Sequence, residues 1–261
     1  MRPRSDGLST TTTASGEELL GRWPFWRANR GHYPLAEAWG APGGRAALAL
    51  CVGERRRLLV GLGTPEHLAP LVAATELPAV DHVILTRGTW GRLTAPERQR
   101  TALTLARDWD WMSTDRPPAA QPGEDRVGPL PGRLDDVHAV LARAYPERGA
   151  RPGDAELDWW GYPAPDGTLT GVLAAEVPGP GAGEGAVVPA GAGVHLSAVA
   201  VDPAHRRGGV ARTMVAAVTR RALERAPVVH LGIWADHDGA RRLYASLGFA
   251  VGQEFEGLDP R

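Results

Sequence analysis

The sequence predicts an α/β fold, α+β in detail: a mixed central sheet flanked by helices, preceded by a smaller α/β domain. Three observations lead there. Apolar runs that read as strands alternate with stretches of helical spacing through both halves of the 261 residues. Residues 115–126, DRPPAAQPGEDR, are rich in Pro and charge, lack periodicity and read as a linker. Residues 194–212, VHLSAVAVDPAHRRGGVAR, read as strand, glycine-bearing loop and helix start. In that run Val194, Leu196, Ala198 and Ala200 lie on one side and Val199 and Val201 on the other, the pattern of a strand buried on both faces.

Asp202-Pro203 ends the run, because Pro cannot continue a ladder. Helical spacing follows Arg206-Arg207-Gly208-Gly209-Val210-Ala211 and continues to Arg225. The first turn of a helix leaves its N–H groups unpaired, and its dipole favours negative charge. Gly208, Gly209 and Ala211 are small enough for phosphate oxygens to approach the backbone, and Arg206 and Arg207 add positive charge. A plain turn with two solvated Arg is the competing account. The loop is neither a Walker A motif nor a G-x-G-x-x-G fingerprint.

Taken in order, residues 1–16 read as a disordered tail and 17–114 as the N-terminal α/β domain. Residues 17–30 form a short helix broken near Pro24; 46–52 and 55–62 form strands around a Gly53-Glu54 turn. Thr64-Pro65 starts a helix with a hydroxyl cap, residues 81–86 form a strand, and Thr94-x-x-Glu97 is a capping box opening a helix to about Arg107. A strand over 108–114 follows. Gly61 and Gly63 precede that first helix, but Glu66 stands where a third glycine would be needed, which favours a plain turn over a nucleotide site. The second half predicts a short strand near 126–128, helices over 134–145 and 154–159, and strands over 160–162 and 169–177. A mobile Gly/Pro loop over 178–193 leads into the central strand; a strand over 228–234, a helix over 238–247 and a strand over 249–255 close the domain.

The composition excludes several classes. A formal net charge of −1 argues against a nucleic-acid or anionic-membrane partner. The sequence has no Lys, so a Schiff-base or P-loop lysine is excluded. Cys51 is the single cysteine, which rules out an intrachain disulfide and fits a cytoplasmic setting. No apolar run approaches a membrane span and the N-terminus lacks the apolar core of a signal peptide. No metal is expected: His32, His67, His82, His138, His205 and His230 show no ligand spacing and read as scattered surface histidines. The tryptophans at 23, 26, 39, 90, 109 and 111 suit a core or an interface.

Residues 127–261 resemble the GNAT superfamily of acyl-CoA-dependent N-acetyltransferases. Arg206-x-x-Gly209-x-Ala211, preceded by Val199-Ala200-Val201-Asp202-Pro203, fits the family's Gln/Arg-x-x-Gly-x-Gly/Ala loop. Ala240-Arg241-Arg242-Leu243-Tyr244-Ala245-Ser246-Leu247-Gly248-Phe249 fits its A-x-x-L-Y-x-x-L-G-F helix and turn. The resemblance implies that acetyl-CoA, the acyl donor, lays its pyrophosphate on the amides of Arg207, Gly208, Gly209, Val210, Ala211 and Arg212. Its pantetheine arm would run along Val199, Ala200 and Val201, in a gap where the sheet splays open beside strand 228–234. His237 stands where the family often has Asn, either touching the cofactor or lying beside a helix capped by Asp236 or Asp238. The first half could be a degenerate copy of the same fold; it has no matching loop.

Acyl transfer to an amine needs a base, an oxyanion donor and an acid for the leaving thiolate. The resemblance makes Tyr244 the acid, against a purely packed tyrosine, and a backbone N–H near Val199 the oxyanion donor. Glu176, Ser197 and His195 are candidate bases, acting directly or through water; an exposed strand face is the alternative for the last two. Direct attack needs no enzyme nucleophile. The expected activity is N-acetylation of a primary amine of a small molecule or amino acid. The alternatives are a protein N-terminal or lysine acetyltransferase and a non-catalytic acyl-CoA sensor. A homodimer is compatible with the sequence. Residues 147–158 and 178–193 are the expected acceptor loops.

Overall fold

A computed structural model describes residues 9–11, 13–54, 56–148, 150–177 and 188–261. The chain divides into two units: Met1–Trp111 with Ile233–His237 and Val251–Arg261, and Met112–Gly232 with Asp238–Ala250. The first opens with β1 (Ser9–Thr11) and α1 (Thr13–Leu20). Part of the stretch expected to be a tail is therefore ordered, because β1 pairs antiparallel with the strand starting at Leu35. Pro24, at the first helical position, starts α2 (Pro24–Ala28) and separates it from α1, as its missing N–H dictates. There follow β2 (Leu35–Gly40), β3 (Ala46–Val52), β4 (Arg57–Gly63), α3 (Pro65–Ala74), β5 (His82–Thr86), α4 (Thr89–Arg92), α5 (Ala95–Thr101) and β6 (Leu103–Thr114).

Two caps differ in outcome. Thr94 and Glu97 make the full capping box, with Thr94 N–H donating to Glu97 Oε2 at 2.7 Å. Thr64 does not cap α3; its hydroxyl lies 2.9 Å from His67 Nδ1. The helix expected to reach Arg107 stops at Thr101, since Ala102 turns into the left-handed region at φ 53° and Leu103 joins the sheet. Leu48, Leu59, Leu68, Leu71, Val83, Leu85 and Trp39 form this unit's core with Leu258. Phe25 meets Phe255 edge-on at 4.7 Å and Trp109 stacks on Phe255 at 4.6 Å, so the aromatics serve packing here.

The second unit contains β7 (Gly128–Pro129), α6 (Leu134–Ala144), β8 (Asp158–Pro163), β9 (Leu169–Glu176), β10 (Val194–Val201), α7 (Val210–Leu223), β11 (Val229–Trp234) and α8 (Asp238–Ala245). Strand β12 (Ala250–Pro260) returns to the first unit. The strand order is β1-β2-β3-β4-β5-β12-β6 in the first unit and β11-β10-β9-β8-β7 in the second. β4–β5 and β10–β11 pair parallel; the pairs β8–β9 and β9–β10 are antiparallel. Residues 178–187 of the expected Gly/Pro loop lie outside the described residues.

Helix α6 turns Val137, Val140 and Leu141 onto Val172, Ala174, Trp159 and Ala200. Each such side chain contributes roughly 1.5–3 kcal/mol on burial. α7 approaches β9 closely because Gly171 has no side chain: a Cβ there would stand 2.7 Å from Met214 Cε and 2.9 Å from Val210 Cγ1. The stretch read as a linker lies along α7, with Arg220 donating to Glu124 at 2.9 Å and Thr213 Oγ1 to Pro122 O at 3.2 Å.

The expected helix over 154–159 is instead a 3-10 turn, Pro152–Glu156, followed by β8. Asp154 explains the difference. Its buried carboxylate accepts from Arg148 Nη2 at 2.6 Å, from Arg151 N–H at 2.9 Å and lies 3.1 Å from His138 Nε2, while its carbonyl takes the Trp159 indole N–H at 2.7 Å. These bonds, led by Arg148, hold its pKa down at about 2. A depressed carboxylate stabilises the fold above its unfolded pKa near 3.8 and loses that contribution as pH falls toward 2, worth roughly 2 kcal/mol. Asp154→Ala strands the buried Arg148 charge and is expected to cost about 3–5 kcal/mol in urea unfolding at pH 7. The deficit should shrink as the pH is lowered below 4. A pH-independent deficit would contradict this account.

Candidate active site

β10 is paired fully on one side and briefly on the other. Against β9 the ladder runs from His195↔Glu176 to Val201↔Gly171, with a register shift between Ser197 and Ala200. Ala198 sits inside that shift at φ 50°, which marks a bulge. Against β11 only Val194↔Val229 and His195↔His230 pair. Beyond them the two parallel strands part, so Val199, Ala200 and Val201 have no strand partner on that edge. The burial of β10 also departs from expectation: Val194, Leu196 and Ala200 are buried, while Ser197, Val199 and Val201 remain partly exposed. One face of the strand is uncovered, which sequence alternation in small residues could not show.

The loop after β10 is braced from below. Asp202 Oδ1 accepts from Ala204 N–H at 3.0 Å, and Arg143 Nε donates to Asp202 Oδ2 at 2.5 Å. Arg143 above all, then the Ala204 amide, holds the Asp202 carboxyl below the usual carboxylate range. Arg206, though exposed, folds back onto the backbone. It donates from Nε to Val201 O at 3.2 Å and from Nη2 to Ala144 O at 2.8 Å, tying the loop to the end of α6. Arg207 carries a second exposed charge, on a backbone at φ 67°. Gly209, at φ 83°, is the N-cap of α7 and offers no side-chain cap. The first helical bond closes from Thr213 N–H to Gly209 O at 3.0 Å. Among the described residues the amides of Arg207, Gly208, Gly209, Val210, Ala211 and Arg212 therefore have no acceptor. Six consecutive N–H groups without acceptors among the described residues lie at a helix start, with nothing within 4 Å of a Cβ placed on Gly209, an arrangement that favours an anion.

A polar row crosses the strands where β10 and β11 begin to part. Ser197 Oγ donates to Glu176 Oε1 at 2.6 Å, and His195 Nδ1 lies 3.2 Å from His230 Nδ1. His230 is fully buried, not a surface histidine. Its place between Val229 and Leu231 on an apolar strand is the signal that could have revealed it. Desolvation lowers the His195 pKa, opposed by the charge of Glu176, so His195 is neutral at pH 7. Tyr244, on α8, is 7% exposed and packs against Phe249 at 5.9 Å. Its hydroxyl has no hydrogen-bond partner among the described residues, and burial pushes its pKa up to about 12. His237 is exposed just before α8, its N–H donating to Trp234 O at 3.0 Å, and Asp236 pairs with Arg107 at 2.9 Å. Cys51 is buried, and burial raises its thiol to about 12, which leaves no thiolate at neutral pH.

Residues 134–249 match the model of the acetyltransferase (GNAT) family. The family's chemistry is acyl transfer from acyl-CoA. A Drosophila protein solved by X-ray crystallography is similar at 14% identity over 98% of this chain and 99% of its own, with a TM-score of 0.64. A GNAT-family acetyltransferase of Colwellia psychrerythraea is similar at 12% identity, 97% and 99% coverage and a TM-score of 0.52. A GNAT-family protein of Novosphingobium aromaticivorans shares 18% identity over 92% and 97% of the two chains, with a TM-score of 0.52. These similarities extend over the first half as well as the second, and establish the fold. No curated protein matches the sequence. No helix among the described residues is long and apolar enough to cross a membrane.

The phenols offer a direct test of the burial of Tyr244. An ultraviolet titration should find one of the four tyrosines ionising only at about pH 12, and Tyr244→Phe should remove that last step. Loss of an earlier step instead would show that Tyr244 is solvated.

Proposed function

We propose that the chain is an N-acetyltransferase that moves the acetyl group of acetyl-CoA to a primary amine of a small molecule or amino acid, within a ternary complex. The carrying observation is the run of open amides from Arg207 to Arg212 directly after a strand whose free edge faces a parting of the sheet. The residues present suit the donor: the amides and Arg207 would hold its pyrophosphate, and the unpaired edge of Val199, Ala200 and Val201 would pair with its pantetheine amides. The donor supplies an activated thioester. Arg206 supports the loop through Val201 O and Ala144 O, and His237 stands close in sequence to the motif helix for a further contact.

On the acceptor side, Glu176 attracts an ammonium, and Glu176 with Ser197 and the neutral His195 can take up its proton. An N–H near Val199, beside the bulge, would meet the developing oxyanion. Tyr244 keeps its proton across the neutral range and donates it to the departing sulfur. A small amine is favoured because the polar row consists of one carboxylate, one hydroxyl and two imidazoles, not a long acidic groove. A cytoplasmic setting fits Cys51, which is buried as a thiol. The first half has no Arg-x-x-Gly-x-Ala loop in its sequence and is assigned no CoA site.

Calorimetric titration with acetyl-CoA tests this reading. Wild type is expected to bind, and Gly209→Glu to lose binding, since a carboxylate would enter the cradle at a position that already demands a left-handed backbone. No binding by wild type at millimolar acetyl-CoA overturns the proposal. Once an amine acceptor is found, Tyr244→Phe should lower kcat by about 10²–10⁴-fold with little change in acetyl-CoA affinity. An unchanged kcat would remove Tyr244 from the acid role.

A further inference from the structure

We propose that His195 and His230 hold one proton between their Nδ1 atoms and act as a single base at the fork of β10 and β11, with His195 meeting the acceptor amine and His230 positioning it. This rests on the acetyl-transfer reading above. His195↔His230 is the last register pair before the two strands separate, so both rings stand at the point where the sheet opens. The two Nδ1 atoms lie 3.2 Å apart and the rings meet edge to face at 5.0 Å. Only one proton fits on that line: one nitrogen donates and the other must accept. His230 is fully buried, whereas His195 is partly exposed and is the member a substrate can reach. The site is shaped for the inner ring, since a Cβ on Gly193 would stand 2.8 Å from His230 Cδ2.

Among the described residues, the following groups face the pair. β9 contributes Glu176, opposite His195 in the ladder and anchored by Ser197. β11 contributes His230 itself. α6 turns Val137, Val140 and Leu141 to the sheet, and its His138 is engaged with Asp154. The buried residues of α7 are Met214, Val215, Val218, Thr213, Thr219 and three alanines, none of them ionisable. Within this setting a proton arriving on the outer nitrogen of His195 is stabilised because Nδ1–H donates to His230 Nδ1. Glu176 balances the new charge. An ammonium acceptor gives its first proton to the pair, which later passes it to water. The amine nitrogen then bonds to the acetyl carbon, the carbon–sulfur bond breaks, and Tyr244 protonates the sulfur. The second amine proton, released as the amide forms, returns the Tyr244 proton through solvent.

Nitrogen-15 NMR of the full-length protein labelled at histidine reads the pair without any substrate. Near neutral pH one of the two rings should carry its proton on Nδ1, and His230→Gln and His195→Gln should assign it. Two Nε2–H rings that titrate independently overturn the proposal. Kinetics supply the second arm. His195→Gln should lower kcat/KM by about 10²-fold or more. His230→Leu, which removes the acceptor for Nδ1–H, should lower kcat/KM and move the acid limb of its pH profile downward, whereas His230→Gln keeps an acceptor oxygen and should recover much of both. An acid limb that does not move in His230→Leu, in protein that still binds acetyl-CoA by calorimetry, overturns the pair and leaves the acetyl-transfer reading intact. Failure of the wild type to bind acetyl-CoA removes that underlying reading, and the base role with it.

Discussion

A strand inside a sheet has to pair its backbone on both edges, and on the β11 edge β10 pairs only at Val194 and His195. After His195 its partner β11 departs, the chain bulges at Ala198, and the following loop leaves its amides open up to Arg212. Unpaired backbone groups are costly to bury, so they must meet either water or a ligand that offers acceptors. The strand's other edge and its buried face hold it in place despite this. The β9 ladder, the α6 side chains on Val172 and Ala174, and the close seat of α7 over Gly171 supply the packing that keeps the open edge open.

The loop is stiffened by the same economy of partners. Asp202 takes Arg143 and the Ala204 amide, and Arg206 closes on two carbonyls. An arginine that sequence alone assigns to an anion thus fixes the backbone of this loop through Val201 O and Ala144 O. Arg207 carries a second exposed charge. Preorganised dipoles of this kind need no rearrangement when a negative group arrives, which is why they count for more than mobile side chains.

Protonation states across the second unit are set by burial and neighbours. Tyr244 is held as a phenol by desolvation, His195 as a neutral imidazole, and Asp202 as a carboxylate by Arg143.

By itself the sequence determined most of the element order, the loop with its paired glycines, the motif helix carrying Tyr244, and the resemblance of residues 134–249 to the GNAT family. These are local signals: strand alternation, Pro and Gly punctuation, and spacing along one helix. It misread the segment after α6, where Asp154 and Arg148 replace a helix by a turn, and the length of α5, where Ala102 adopts a left-handed backbone without being glycine. It also passed over His230. Only the tertiary structure decided which strands part, where the six amides point without partners, and that His195, His230, Glu176 and Ser197 form one row. Those features depend on register between strands far apart in the chain, and register follows from packing on both faces of a sheet, which no single segment encodes.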